Sequence, residues 1–102
     1  MLEIYAKEYV AIGKYLQKKE RIHKGYVLVE KKKLEGLLDK NRYDTAANKL
    51  HIWKVLKWID TDADGRLTKR IYVCEGEQKI YKPFVKMNVA ILEQLQVLLN
   101  AN

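Results

Sequence analysis

The sequence predicts an α+β fold in the order helix, strand, helix, helix, β-hairpin, helix, and three observations carry that expectation. Apolar residues recur at steps of three and four in several separate stretches, the spacing of one face of an α-helix. Past Gly65 the periodicity changes to two, the pattern of a half-buried strand. The 102 residues contain one proline and neither repeats nor low-complexity tracts, so a single domain spanning 1–102 around one core is expected.

From Leu2 to about Glu20, Tyr5, Tyr9, Ile12 and Leu16 share a face, while Glu3, Lys7, Lys14 and Lys18 form a charged stripe elsewhere on this first helix. Arg21 to Gly25 breaks the pattern, and Tyr26-Val27-Leu28-Val29 is a β-branched and aromatic run typical of a strand. Glu30 to Lys40 gathers Leu34, Leu37 and Leu38 on one side as a short helix, although Gly36 costs it about 1 kcal/mol. After Asn41-Arg42-Tyr43, the side chain of Asp44 or Thr45 can accept from a free amide and so cap a third helix running to about Asp60. Its apolar face is expected at Ile52, Val55, Leu56 and Ile59, with Leu50 and Trp53 beside it.

Leu67, Lys69, Ile71 and Val73 then alternate with Thr68, Arg70, Tyr72 and Cys74. Glu75-Gly76-Glu77 makes a turn, and Gln78 to Lys82 returns around Ile80 to complete the hairpin. The last helix begins after Pro83 or at Asn88 and carries Met87, Ile91, Leu95 and Leu98, with Val89, Leu92 and Leu99 on an adjoining stripe. From Asn88 onward Glu93 is its only formally charged side chain, which predicts cover on more than one side. In so small a protein the second cover is expected to be another subunit, placing a homodimer interface at Ile91, Leu92, Leu95, Leu98 and Leu99.

Lys and Arg number 20 against 13 Asp and Glu, a formal net charge of +7, which favours a polyanionic partner: nucleic acid first, an anionic membrane surface second. A membrane reading would rest on Lys31, Lys32 and Lys33, whose helix lacks the large apolar face that insertion needs. The amino terminus is charged too early for a secretory leader, and no apolar run approaches the roughly 20 residues that span a bilayer. Cys74 is the only cysteine, which excludes an intrachain disulfide and suits a reducing, cytoplasmic setting, with the thiol expected to be buried and inert.

From Leu34 to Tyr81, about half the chain, the sequence resembles the winged helix-turn-helix family. Leu34, Leu37 and Leu38 match the first helix of that motif, Asn41-Arg42-Tyr43 its turn, Leu50, Trp53, Leu56 and Ile59 its second helix, and Arg66-Leu67-Thr68-Lys69-Arg70-Ile71 the opening of the wing. Similar strings occur in small plasmid- and phage-encoded replication and transfer proteins of Gram-positive bacteria, including accessory proteins that bind an origin of transfer. The resemblance implies a non-enzymatic, sequence-specific binder of double-stranded DNA.

An α-helix fits the major groove, where base edges carry a distinguishable pattern of donors and acceptors. The least apolar stripe of the third helix holds Ala47, His51, Lys54 and Trp58, flanked by Lys57, and is the expected reading surface, with Arg42 and Thr45 at its approach. His51 is either a base contact or a plain surface residue, and His23 reads as surface. Arg66, Lys69, Arg70, Lys79 and Lys82 on the wing can neutralise phosphates, whereas Glu75 and Glu77 at its tip would repel them. The competing expectation is a protein-interaction adapter that uses Trp58, Tyr43 and Tyr72 as an aromatic contact patch.

Asp60, Asp62, Asp64 and Gly65 match the opening of a calcium loop, but the twelfth position is Ile71 where a bidentate glutamate is required, so a helix-terminating turn is expected instead. The chain has no serine and no glycine-rich phosphate loop, and no small-molecule ligand, cofactor or metal is expected.

Overall fold

The computed structural model describes residues 2–61 and 65–100. Helix α1 (Glu3–Lys19) is followed by strands β1 (Arg21–His23) and β2 (Tyr26–Val29), helices α2 (Lys31–Leu38) and α3 (Ala46–Val55), strands β3 (Ile59–Asp60), β4 (Lys69–Glu75) and β5 (Gln78–Asn88), and helix α4 (Val89–Asn100). The α+β expectation holds: among the described residues four helices pack with an antiparallel sheet ordered β1-β2-β5-β3, and β4 pairs with the other half of β5.

The break at Arg21–Gly25 is a hairpin rather than a loop. Lys24 and Gly25 take φ of 50° and 86°, the two positive values that a tight two-residue turn requires, and β1 returns as β2 with His23 opposite Tyr26. Strand β5 is the spine of the sheet. Its first residues pair with β4 from Glu75↔Gln78 to Lys69↔Phe84, and its last four pair with β2 from Val29↔Val85 to Tyr26↔Asn88. Of the two helix starts considered, the later one holds. Pro83 is accommodated within β5 because β2 reaches only to Val85, leaving that flank of β5 an edge where a missing N–H is tolerated.

Helix α3 stops at Val55, short of Asp60, through a left-handed reversal. Lys57 adopts φ 61°, its N–H donates to Lys54 O at 3.0 Å, and the Trp58 N–H donates to Trp53 O at 2.9 Å, the two bonds of a Schellman motif. That reversal drops Trp58 into the interior and starts β3, which pairs Ile59 with Met87. At the other end Thr45 is the cap, accepting from Asn48 N at 3.1 Å, while Asp44 takes the Thr45 N–H and the Tyr5 hydroxyl, both at 2.8 Å.

The core lies between one face of the sheet and all four helices. The register places Val27, Val29, Val85, Met87 and Ile59 on that face, against Tyr9 and Leu16 of α1, Leu34 and Leu38 of α2, Leu50 and Trp53 of α3 and Leu92 of α4. Helices α1 and α4 touch through Gly13, where a methyl group would stand 2.7 Å from Leu92 Cδ1. Tyr9 packs edge-on against Trp53 at 4.9 Å, and its hydroxyl reaches the carbonyls of Trp58 and Asn88 that close the sheet; burial pushes its pKa up.

A lysine sits in the middle of this core. Lys49 is 0 % exposed, and its ammonium lies 3.1 Å from Glu8 Oε1 while donating to Leu38 O at 2.6 Å and to Asn41 O. Glu8, equally enclosed, accepts in addition from Asn41 Nδ2 at 2.9 Å and from the Tyr43 hydroxyl. Burial first, and that hydrogen bond second, hold the Tyr43 pKa above its ordinary value. Losing one partner of such a pair strands a charge in a low-dielectric interior at a cost of about 3–5 kcal/mol, whereas losing both together costs much less. Lys49→Ala and Glu8→Ala should each lower the unfolding free energy by about that amount in urea titrations, and Glu8→Leu combined with Lys49→Met by clearly less than the sum. A single substitution costing under about 1 kcal/mol would contradict this assignment.

Candidate nucleic-acid interface

With Ala46, Lys49, Leu50 and Trp53 buried, helix geometry turns Ala47, Asn48, His51 and Val55 outward, with Lys54 at the margin. Three members of the expected reading stripe, Ala47, His51 and Lys54, thus share the open side of α3. The fourth does not: Trp58 lies beyond the helix end and is buried against Tyr9. The apolar face is also displaced from its expected position, since Val55 is 61 % exposed while Lys49 takes a core place. Lys57 is exposed on the reversal after α3. Arg42 is exposed in the turn before α3, beside Asp39 and Asp44 in a shallow groove, and the Thr45 side chain is engaged as the helix cap.

The segment leading into β4 returns to α3, because the Lys54 ammonium comes 3.1 Å from where a Cβ on Gly65 would stand; Arg66, exposed, follows directly. Asp60 fastens the base of the hairpin, accepting from Lys69 at 3.0 Å and from Lys86 at 3.1 Å. Lys69 is therefore engaged in an internal ion pair. The start of α2 approaches the same base, where Lys31 and Lys32 share a concavity with Thr68, Lys82 and Pro83.

Cross-strand partners share a face, so the hairpin sorts its side chains cleanly. Val73, Lys82 and Phe84 turn inward over Leu28 and line a cavity of about 360 Å³ with Lys19, Arg21 and Lys33, in which Glu20 pairs with Lys33 and Glu30 lies 3.7 Å from Lys82. Arg70, Tyr72, Cys74, Lys79 and Tyr81 turn outward and are exposed. Cys74 is thus not the buried thiol expected, because the even-numbered residues of β4 fall on the solvent side.

The aromatic contact patch of the adapter reading is not assembled. Trp58 is core, Tyr43 is bonded to Glu8, and Tyr72 stands on the outer hairpin with Tyr81. In the expected dimer interface Leu92 is fully used inside the chain against Gly13, and Ile91, Leu95 and Leu99 are half-buried against the same core, which leaves Leu98 with Val97 as the open part of α4. Of the calcium-loop residues, Asp62 and Asp64 lie outside the described residues, and the Asp60 carboxylate is taken by two lysines. No helix among the described residues is long and apolar enough to cross a membrane.

Two features escaped the sequence reading. Lys49 looks like a solvated lysine, although its place on the Ala46-Leu50-Trp53 face was a usable signal. The Tyr72–Tyr81 pair needs the hairpin register, which depends on the turn being the two residues Gly76-Glu77 rather than three. No protein-family model matches the chain, and no curated protein matches it in sequence.

Burial alone would raise the Asp60 pKa, but the hydrogen bonds and charges of Lys69 and Lys86 outweigh it and hold the carboxyl below its ordinary 3.8. A carboxyl whose pKa is lower folded than unfolded stabilises fully above the unfolded value and loses that contribution as pH falls through the folded one. Asp60→Asn should therefore cost about 1 kcal/mol at pH 7, with the gap to the unaltered protein closing below about pH 4. Thermal unfolding between pH 7 and 2 checks this, and a gap independent of pH would contradict it.

Proposed function

We propose that the chain is a non-enzymatic, sequence-specific binder of double-stranded DNA of the winged helix-turn-helix type, with the open stripe of α3 in the major groove and the β4–β5 hairpin against the flanking backbone. The order α1, β2, α2, α3, then β3 and β4 with β5 supports the reading, as does the antiparallel placing of β2 against β5. The observation that carries it is the division of charge. Glu8 is paired with Lys49, Asp60 with Lys69 and Lys86, and Glu30 with Lys82, while Lys31, Lys32, Lys54, Lys57, Arg70 and Lys79 make no ion pair among the described residues; Asp39 and Asp44 beside Arg42 leave that turn the less cationic part of the surface. Unpaired cations facing water attract phosphates and displace their counterions.

Such a protein would serve as an accessory factor in plasmid transfer or replication, or as a transcription regulator, in the cytoplasm and without a cofactor. It would act as a homodimer through α4, where Val97 and Leu98 are 67 % and 64 % exposed and an apolar groove runs between Leu2, Ala6, Trp58, Leu95 and Leu99. A dimer would set two α3 helices against two half-sites.

Fluorescence anisotropy against random duplex at several salt concentrations should show binding that weakens steeply as salt rises, and two chains per site in the complex. Lys54→Glu with Arg70→Glu should reduce affinity by about tenfold or more. Absence of binding at low salt contradicts the function, one chain per site contradicts the dimer, and full retention by the charge-reversed variant contradicts the surface.

A further inference from the structure

We propose that the outward face of the β4–β5 hairpin is a stacking platform for unpaired bases of single-stranded DNA, a ligand distinct from the duplex assigned to α3. The proposal goes beyond the duplex reading, with which it shares Arg70 and Lys79, and rests in addition on ring geometry and exposure at three successive rungs of the hairpin.

Tyr72 and Tyr81 are cross-strand partners whose ring centroids lie 4.5 Å apart at 90°, edge to face. In this packing each ring supports the other, yet Tyr72 remains 66 % and Tyr81 46 % exposed, a wide aromatic surface turned to water. The rung on one side is Arg70↔Pro83, with the Arg70 guanidinium 5.8 Å from the Tyr81 ring centre. The rung on the other side is Cys74↔Lys79. No acidic residue occupies these three rungs, so the rings are bracketed by a cation at each end of the strip.

Aromatic faces set between cations suit a strand whose bases are free to stack and whose phosphates alternate with them. A duplex does not offer that surface, because its bases are already stacked on one another and only their edges show in the grooves. Same-face rungs stand about 6.6 Å apart, two residues at the strand rise, roughly twice the 3.4 Å spacing of stacked bases. A base can therefore lie on one ring while its phosphate meets Arg70 or Lys79. Tyrosine is also held here at small entropic cost, since the paired rings are already ordered against each other.

Anisotropy of a labelled oligothymidylate of about a dozen nucleotides, with the full chain, tests the platform. Tyr72→Ala and Tyr81→Ala should each weaken binding roughly 5- to 150-fold, Tyr72→Phe should stay within about twofold, and duplex affinity should be unchanged in all of them. Cys74, the only cysteine, lies on the same face and gives a second readout that needs no variant: saturating oligothymidylate should slow its alkylation several-fold. Failure of the unaltered protein to bind oligothymidylate, alanine variants binding as well as it does, or an alkylation rate indifferent to oligothymidylate would overturn the proposal. Parallel loss of duplex and single-strand affinity would also overturn it, since the face would then belong to the duplex site.

Discussion

The Lys49 ammonium has three protons and a positive charge to place inside an apolar core, and the fold is arranged around meeting those demands. Glu8 comes from α1, the Leu38 carbonyl from the end of α2, the Asn41 carbonyl from the turn, and Lys49 itself from α3. A hydrophobic contact tolerates sliding and rotation, whereas a buried ion pair with directed hydrogen bonds does not. Four chain segments therefore meet in one geometry, with the Tyr43 ring 4.2 Å from the ammonium as a lid over the pair. Whichever surface α3 presents is set by this pair, because the face holding Lys49 must look inward.

The second constraint is the length of β5. One strand belongs at its end to the core sheet beside β2 and β3, and at its start to the hairpin with β4. The hairpin is thereby rigidly continuous with the core instead of hanging from a loop, and Asp60, bridging Lys69 and Lys86, fixes the base where the two parts join. Rigidity matters for the inferred role, since a wing that contacts a backbone and a helix that enters a groove must hold a constant separation.

The four helices, β2 and the β4–β5 hairpin were legible from periodicity, and so was the open side of α3 at Ala47, His51 and Lys54, whereas β1 and β3 were not. The end of α3 was not, because the left-handed position that terminates it holds Lys57 where glycine is the usual signal. Trp58 and Ile59 then continue an apolar spacing that looks helical although the backbone has already reversed. Pro83 misleads in the opposite sense, resembling a helix start while sitting on a strand edge. The buried pair stayed hidden because Glu8 and Lys49 are 41 residues apart, and nothing local announces that two charges will meet. The outer hairpin face stayed hidden because alternation separates two faces without saying which one the core will cover.

The proposed interface is spatially specific: α3, the start of α2 and the β4–β5 hairpin are expected to meet nucleic acid, and α4 is not. Backbone amide chemical shifts recorded while duplex DNA is added test it most directly. The account predicts perturbations at Lys31–Lys33, Ala47, His51, Lys54 and Arg70, with Val97 and Leu98 unmoved beyond what dimerisation alone produces. Perturbations confined to α4 and the amino-terminal end of α1, with α3 and the hairpin silent, would contradict it.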